Sequence, residues 1–222
     1  MNDNIKILSN YRRLKCIRRA NNFPTIKTED VAEHSYYVAI TALTLAEEYN
    51  RYATQHNSKV HPLDYENCMD LVNVEKLLKQ ALFHDMEECF TSDIPYNVKH
   101  YNAGINAELK QCTLNMLDKI YRNAGINVFS HLYYIDNCKE GLEGAFVSLS
   151  DLIEGAWYCY EELDMGNKSI RSLFFNYIHE IENLELIDMF LKTCPTVEAL
   201  LGLFKDKLTS EPFPRKETEL FA

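Results

Sequence analysis

The chain has 222 residues, 46% of them hydrophobic and 25% charged, with a formal net charge of −10. That length carries one generous domain with its own core. The acidic balance excludes a duplex nucleic-acid binder, which needs excess Lys and Arg facing phosphates. In chain order, hydrophobic periodicity predicts helices over about 4–20, 34–53, 72–90, 103–124, 139–164, 167–191 and 196–208. Only 7 glycines and 6 prolines interrupt the chain, which favours long helices over a turn-rich β fold. The loops fall at Asn21–Glu33, Thr54–Cys68 and Thr91–Gly104. The reading is all-α: a single-domain helical bundle over 1–208 and a loosely held tail over 209–222, rich in charge and proline.

The 7 cysteines are scattered and never form a Cys-x-x-Cys pair. A disulfide framework or structural zinc knot is not expected, and a reducing cytoplasm is the natural location. No secretory signal is visible, and no apolar run reaches the roughly 18 residues of a membrane span. Lys6, Arg12, Arg13, Lys15, Arg18 and Arg19 cluster near the N-terminus. Such a cluster is either a solvated helix face or, in part, a cradle for a small phosphorylated ligand.

The informative positions are polar residues placed on apolar stripes. On the second helix Val38, Ala42, Leu45, Ala46 and Tyr49 share a face, and His34 lies one turn earlier on it. Alone, His34 reads equally as a core histidine with one hydrogen bond. On the third helix Val74, Leu77, Leu78 and Ala81 lead on to Asp85 and Glu88, with His84 beside the first acid. Either the stripe ends near Ala81 and the acids meet solvent, or two carboxylates enter the interior and need a cation. On the fifth helix Asp151 sits among Gly144, Val147, Ser148, Gly155 and Tyr158; a buried Asp bonded to a hydroxyl or a backbone amide would look the same. Taken together, two imidazoles and two carboxylates from three helices suit one divalent ion such as Mn²⁺, Co²⁺, Fe²⁺, Ni²⁺, Zn²⁺ or Mg²⁺. Such an ion with open positions lowers the pKa of a bound water and so generates a nucleophile.

At these residues the chain resembles the HD-domain superfamily of metal-dependent phosphohydrolases, and within it the YfbR-like 5′-deoxynucleotidases. Glu29-Asp30-Val31-Ala32-Glu33-His34-Ser35 is similar to the family's segment around its first metal histidine. Phe83-His84-Asp85-Met86-Glu87-Glu88, then Thr91-Ser92-Asp93-Ile94-Pro95 and Val98-Lys99, is similar to its His-Asp segment and the turn after it. Ser150-Asp151 matches its last ligand. The resemblance spans roughly residues 12–165. It implies His34, His84, Asp85 and Asp151 as metal ligands, and Glu88 and Asp93 as acid–base residues whose individual roles stay open. It implies Arg19 and Lys99 as phosphate contacts, and a homodimer. Two departures stand out. Ala20 replaces a tryptophan that shapes the sugar pocket, and Ser92 replaces a glycine before the loop aspartate.

The activity expected is removal of the 5′-phosphate from (deoxy)nucleoside monophosphates by attack of a metal-bound water. One alternative is an HD-domain deoxynucleoside triphosphate hydrolase releasing triphosphate or pyrophosphate. It is favoured by Ala20 and the basic first helix, because a longer phosphate tail wants more room and more cations. The other is a non-enzymatic nucleotide-binding module, against which the intact ligand set argues.

Overall fold

The computed structural model describes residues 3–61, 64–94, 103–123 and 133–210. Lys99, the 211–222 part of the tail and parts of the predicted loops lie outside them. The helices are α1 (Asp3–Tyr11), α2 (Val31–Asn57), α3 (Val74–Phe83), α4 (Glu88–Thr91), α5 (Ala103–Asn123), α6 (Gly141–Asp164), α7 (Arg171–Glu182), α8 (Ile187–Thr193) and α9 (Pro195–Ser210). Short 3₁₀ turns occupy Arg12–Cys16, Tyr65–Asn67 and Lys168–Ile170. Among the described residues the β structure is a single isolated antiparallel bridge, Arg18 with Asp30. The all-α expectation therefore holds, and α2, α3, α6 and α7 pack on one another around the core.

Local signals explain the elements. Asp30 caps α2 by accepting the Glu33 amide at 2.9 Å, the arrangement that satisfies an orphan N–H at a helix start. Asn73 caps α3 by accepting from Lys76. The expected stripe of α2, Val38, Ala42, Leu45, Ala46 and Tyr49, is buried. With Leu77, Phe146, Leu149, Phe174, Phe190 and Phe204 it forms the main core, where each such fully buried apolar side chain contributes about 1.5–3 kcal/mol. A second cluster of Ile7, Leu14, Val31, Met86, Cys89, Leu117, Tyr121 and Ile135 backs the chain between α3 and α4.

Three boundaries differ from the periodicity reading. The helix expected over 72–90 breaks at His84 and resumes at Glu88. The His84 imidazole donates from Nδ1 to the Ala81 carbonyl at 2.7 Å, an acceptor that an α ladder would give to the Asp85 amide. The backbone then tightens, with Met86 N–H on Phe83 O and Glu88 N–H on Asp85 O. The helix expected over 167–191 divides into α7 and α8 at Asn183, whose side chain and backbone amide both bond the His179 carbonyl, at 2.7 and 3.2 Å. The first helix stops at Tyr11 and continues only as a 3₁₀ turn.

The described part of the segment after α2 is tied to the far end of that helix. α2 runs to Asn57, and Asn57 and Asn50 pair with the backbones of Met69 and Val72. That places the connection about 35 Å along the helix from His34 at 1.5 Å per residue. The aromatic run of α7 serves the core: Phe174 and Ile178 are buried, while Phe175 stacks on His179 at the surface.

Candidate metal centre

Four of the expected residues meet where α2, α6 and the turn after α3 converge. His34 on α2 is fully buried and His84 nearly so. Their Nε2 atoms lie 3.2 Å apart. Asp85 Oδ2 lies 3.5 Å from His34 Nε2 and 3.2 Å from His84 Nε2. Asp151 Oδ1 lies 3.2 Å from His34 Nε2 and 4.0 Å from His84 Nε2.

The tautomers are decided by the far side of each ring. Ala81 O can only accept, so His84 Nδ1 carries a proton. His34 Nδ1 faces the Glu154 carboxylate, again an acceptor. Both Nε2 atoms therefore face one another and two carboxylate oxygens. Two carboxylates and two imidazoles converging in a largely buried site need positive charge among them, from a proton on His34 or from a cation, and the donor set fits a divalent ion.

The electrostatics agree. Burial and Arg19 act to lower the His34 pKa, but Glu154 and Asp151 outweigh them and push it up to about 10. Burial opposes ionisation of Asp85 and Asp151, yet His84 for the first and Lys139 for the second hold both carboxyls below the usual range.

Behind His34 lies a network that sequence reasoning missed. Burial and the adjacent Glu154 push the Glu29 carboxyl up to about 8. Glu29 thus holds the proton it shares with Glu154, which stays ionised against His34 and Arg19 although burial opposes it. A carboxylate on the non-ligating nitrogen fixes the ring and raises its basicity. Glu154 follows Asp151 by three residues on α6, so an Asp-x-x-Glu spacing on one helical face was its available signal. Lys139, whose Nζ lies 2.8 Å from Asp151 Oδ2, had none.

Arg19 turns inward from the basic cluster, its Nη1 3.4 Å from Asp85 Oδ2 and its Nε 3.9 Å from Glu29. Arg12, Arg13, Lys15 and Arg18 are exposed, which is the solvated-face reading for those four. The backbone decides this: Arg19 N–H bonds Glu29 O and Val31 N–H bonds Ile17 O, lacing the segment against the start of α2. Ala20 then turns the chain with φ 48°. Glu88 is buried at the head of α4. Asp93 is half-buried, and its carbonyl accepts from Asn21 at 3.3 Å, so its loop rests beside the Arg19 turn. Ser92 adopts φ 63° and ψ 171°, a region glycine enters freely and other residues at about 1–3 kcal/mol. The glycine-type turn is thus kept with a serine in it. The small residues flanking Asp151 have specific neighbours. A Cβ on Gly144 would sit 2.2 Å from the Lys139 carbonyl carbon, and one on Gly155 would sit 2.5 Å from the Tyr177 ring.

A family model for the YfbR-like 5′-deoxynucleotidases matches residues 6–196. The chain belongs to the YfbR-like family. A 5′-deoxynucleotidase of Enterobacter sp. (strain 638) is 32% identical over 162 residues, 70% of this chain and 71% of that protein. An HD-domain phosphohydrolase from Listeria innocua, 20% identical, aligns with a TM-score of 0.64 over 92% of this chain and 99% of its own. The cyanophage S-2L HD phosphohydrolase DatZ, solved with dA and one catalytic Zn²⁺, is 15% identical and aligns with a TM-score of 0.53 over 91% and 96%. At those identities the two structures speak to the fold, which is the HD-domain bundle of the YfbR-like family.

Proposed function

We propose that this YfbR-like protein is a divalent-metal-dependent 5′-nucleotidase that releases orthophosphate from deoxynucleoside monophosphates. The observation that carries this is the pair of Nε2 atoms 3.2 Å apart, flanked by Asp85 and Asp151 and approached by Arg19. His34, His84, Asp85 and Asp151 would hold the ion. When bound, it supplies Lewis-acid stabilisation of the phosphoryl oxygens and a water of lowered pKa. The mixed imidazole and carboxylate set suits Mn²⁺, Co²⁺, Fe²⁺, Ni²⁺ or Zn²⁺ better than the all-oxygen preference of Mg²⁺.

The chain's own residues provide the rest. Arg19 offers a planar fork to the phosphate. Glu88 and Asp93 are the carboxyls available to move the proton that the departing 5′-oxygen needs. The triphosphate reading lacks its cation cradle among the described residues, because Arg12, Arg13, Lys15 and Arg18 face solvent. All 7 cysteines are free thiols, and no helix of the described residues is long and apolar enough to cross a membrane. Both suit the cytoplasm. A homodimer is proposed on family likeness.

The deciding experiment incubates metal-stripped protein with deoxynucleoside mono- and triphosphates, with and without Mn²⁺ or Co²⁺, and identifies the products by chromatography. Deoxynucleoside and orthophosphate from the monophosphates, formed only with metal, are expected. Release of triphosphate or pyrophosphate instead would replace this reading. A second expectation concerns the ring-orienting carboxylate. Glu154→Gln should weaken Mn²⁺ binding about tenfold to a hundredfold, read by titration calorimetry; unaltered affinity would show that the network behind His34 does not serve the ion.

A further inference from the structure

Lys139 is unlike a surface lysine. Its Nζ lies 2.8 Å from Asp151 Oδ2, while the other oxygen of that carboxylate faces His34 Nε2 at 3.2 Å. Each carboxylate of the proposed metal set thus carries one basic residue, Arg19 on the Asp85 oxygen beside the imidazoles and Lys139 on the Asp151 oxygen that faces away from them.

Its backbone is clamped from two sides. The side chain of Gln80, wholly buried on α3, donates to Asn137 O at 2.7 Å and Glu140 O at 3.2 Å. Gly144 on α6 admits the Lys139 carbonyl to a distance that any Cβ would forbid. The side chain is 53% exposed, so it lines an edge of the site that solvent reaches. An exposed lysine–carboxylate pair is worth only about 0–1 kcal/mol, too little to explain two buried devices that hold its backbone. The arrangement fits a cation held ready for something that enters from solvent.

We propose that Lys139 is a second phosphate-binding residue, contacting the phosphoryl group from the Asp151 side as Arg19 does from the Asp85 side. This deepens the nucleotidase reading and rests on it for the nature of the substrate. The chemistry is simple. Asp151, if it held a divalent ion, would be a weaker partner for the Lys139 ammonium. The phosphate dianion then becomes the stronger acceptor. A lysine has three donors, so Nζ keeps Asp151 while it takes a phosphoryl oxygen.

The test compares Lys139→Gln and Lys139→Arg with the wild-type chain, each loaded with Mn²⁺, using inorganic phosphate as the calorimetric titrant. Mn²⁺ is titrated separately into the stripped proteins. Loss of one charge-assisted contact predicts phosphate binding about tenfold to a hundredfold weaker in Lys139→Gln. Lys139→Arg should recover most of it. Mn²⁺ affinity should be unchanged or tighter in Lys139→Gln, since a nearby positive charge is gone. Unaltered phosphate binding in Lys139→Gln, a wild-type chain that binds no phosphate, or a loss that merely tracks an equal loss of Mn²⁺ affinity would each overturn the proposal; the last would make Lys139 a partner of the carboxylate only. The titration contains no nucleotide, so failure to hydrolyse monophosphates would sink the functional reading separately from this one.

Discussion

Replacing His84 with alanine is expected to cut deoxynucleoside monophosphate hydrolysis roughly a thousandfold or more, because metal catalysis supplies several kcal/mol and each 1.36 kcal/mol is tenfold in rate. His84 contributes one of two Nε2 atoms that face each other at 3.2 Å. Its removal also frees the Ala81 carbonyl that breaks α3, so the turn itself is at risk. Asp85→Asn separates the two effects. It keeps volume and leaves the Ala81 contact intact, but withdraws a negative oxygen 3.2 Å from His84 Nε2. Both variants should keep the far-ultraviolet circular dichroism of a helical protein and lose phosphate release at any Mn²⁺ concentration tested. Full turnover in either, with the fold intact, would remove the metal assignment.

The next largest effect is expected at Arg19. Loss of a charge-assisted contact to the phosphate costs about 1.5–3 kcal/mol, or about tenfold to 150-fold in kcat/KM. In Arg19→Ala this should appear chiefly as a raised KM for the monophosphate. The variant has a second consequence, because Arg19 also lies 3.4 Å from Asp85 and 3.9 Å from Glu29. Arg19→Lys keeps the charge but not the planar fork, and should fall between alanine and wild type. Initial-rate kinetics at saturating Mn²⁺ check this, and an unchanged KM in Arg19→Ala would show that the guanidinium only balances the carboxylates.

Much of this molecule is legible in its sequence. The α2 stripe is buried as periodicity predicts, since an amphipathic helix has only one way to hide its apolar face. His34 and Asp151 could be placed at the interior because each continues such a stripe. The break at His84 was not legible. No glycine or proline marks it, and a side chain capturing the carbonyl of Ala81 leaves no compositional trace. The split between α7 and α8 after Glu182 is likewise unmarked by glycine or proline.

What the sequence by itself determined is the set of helices, the residue types that converge on the site and the motif words that tie the chain to the YfbR-like family. Only the tertiary structure decided how those residues are supported. His34 and Glu154 are 120 residues apart, Arg19 and Asp85 are 66 apart, and the sequence assigns no role to Glu154 or Lys139. The physical reason is range. Periodicity reports which face of one helix avoids water, an interaction settled within a few turns. Which carboxylate orients which imidazole depends on how separate helices dock, and that is fixed by packing across the whole core.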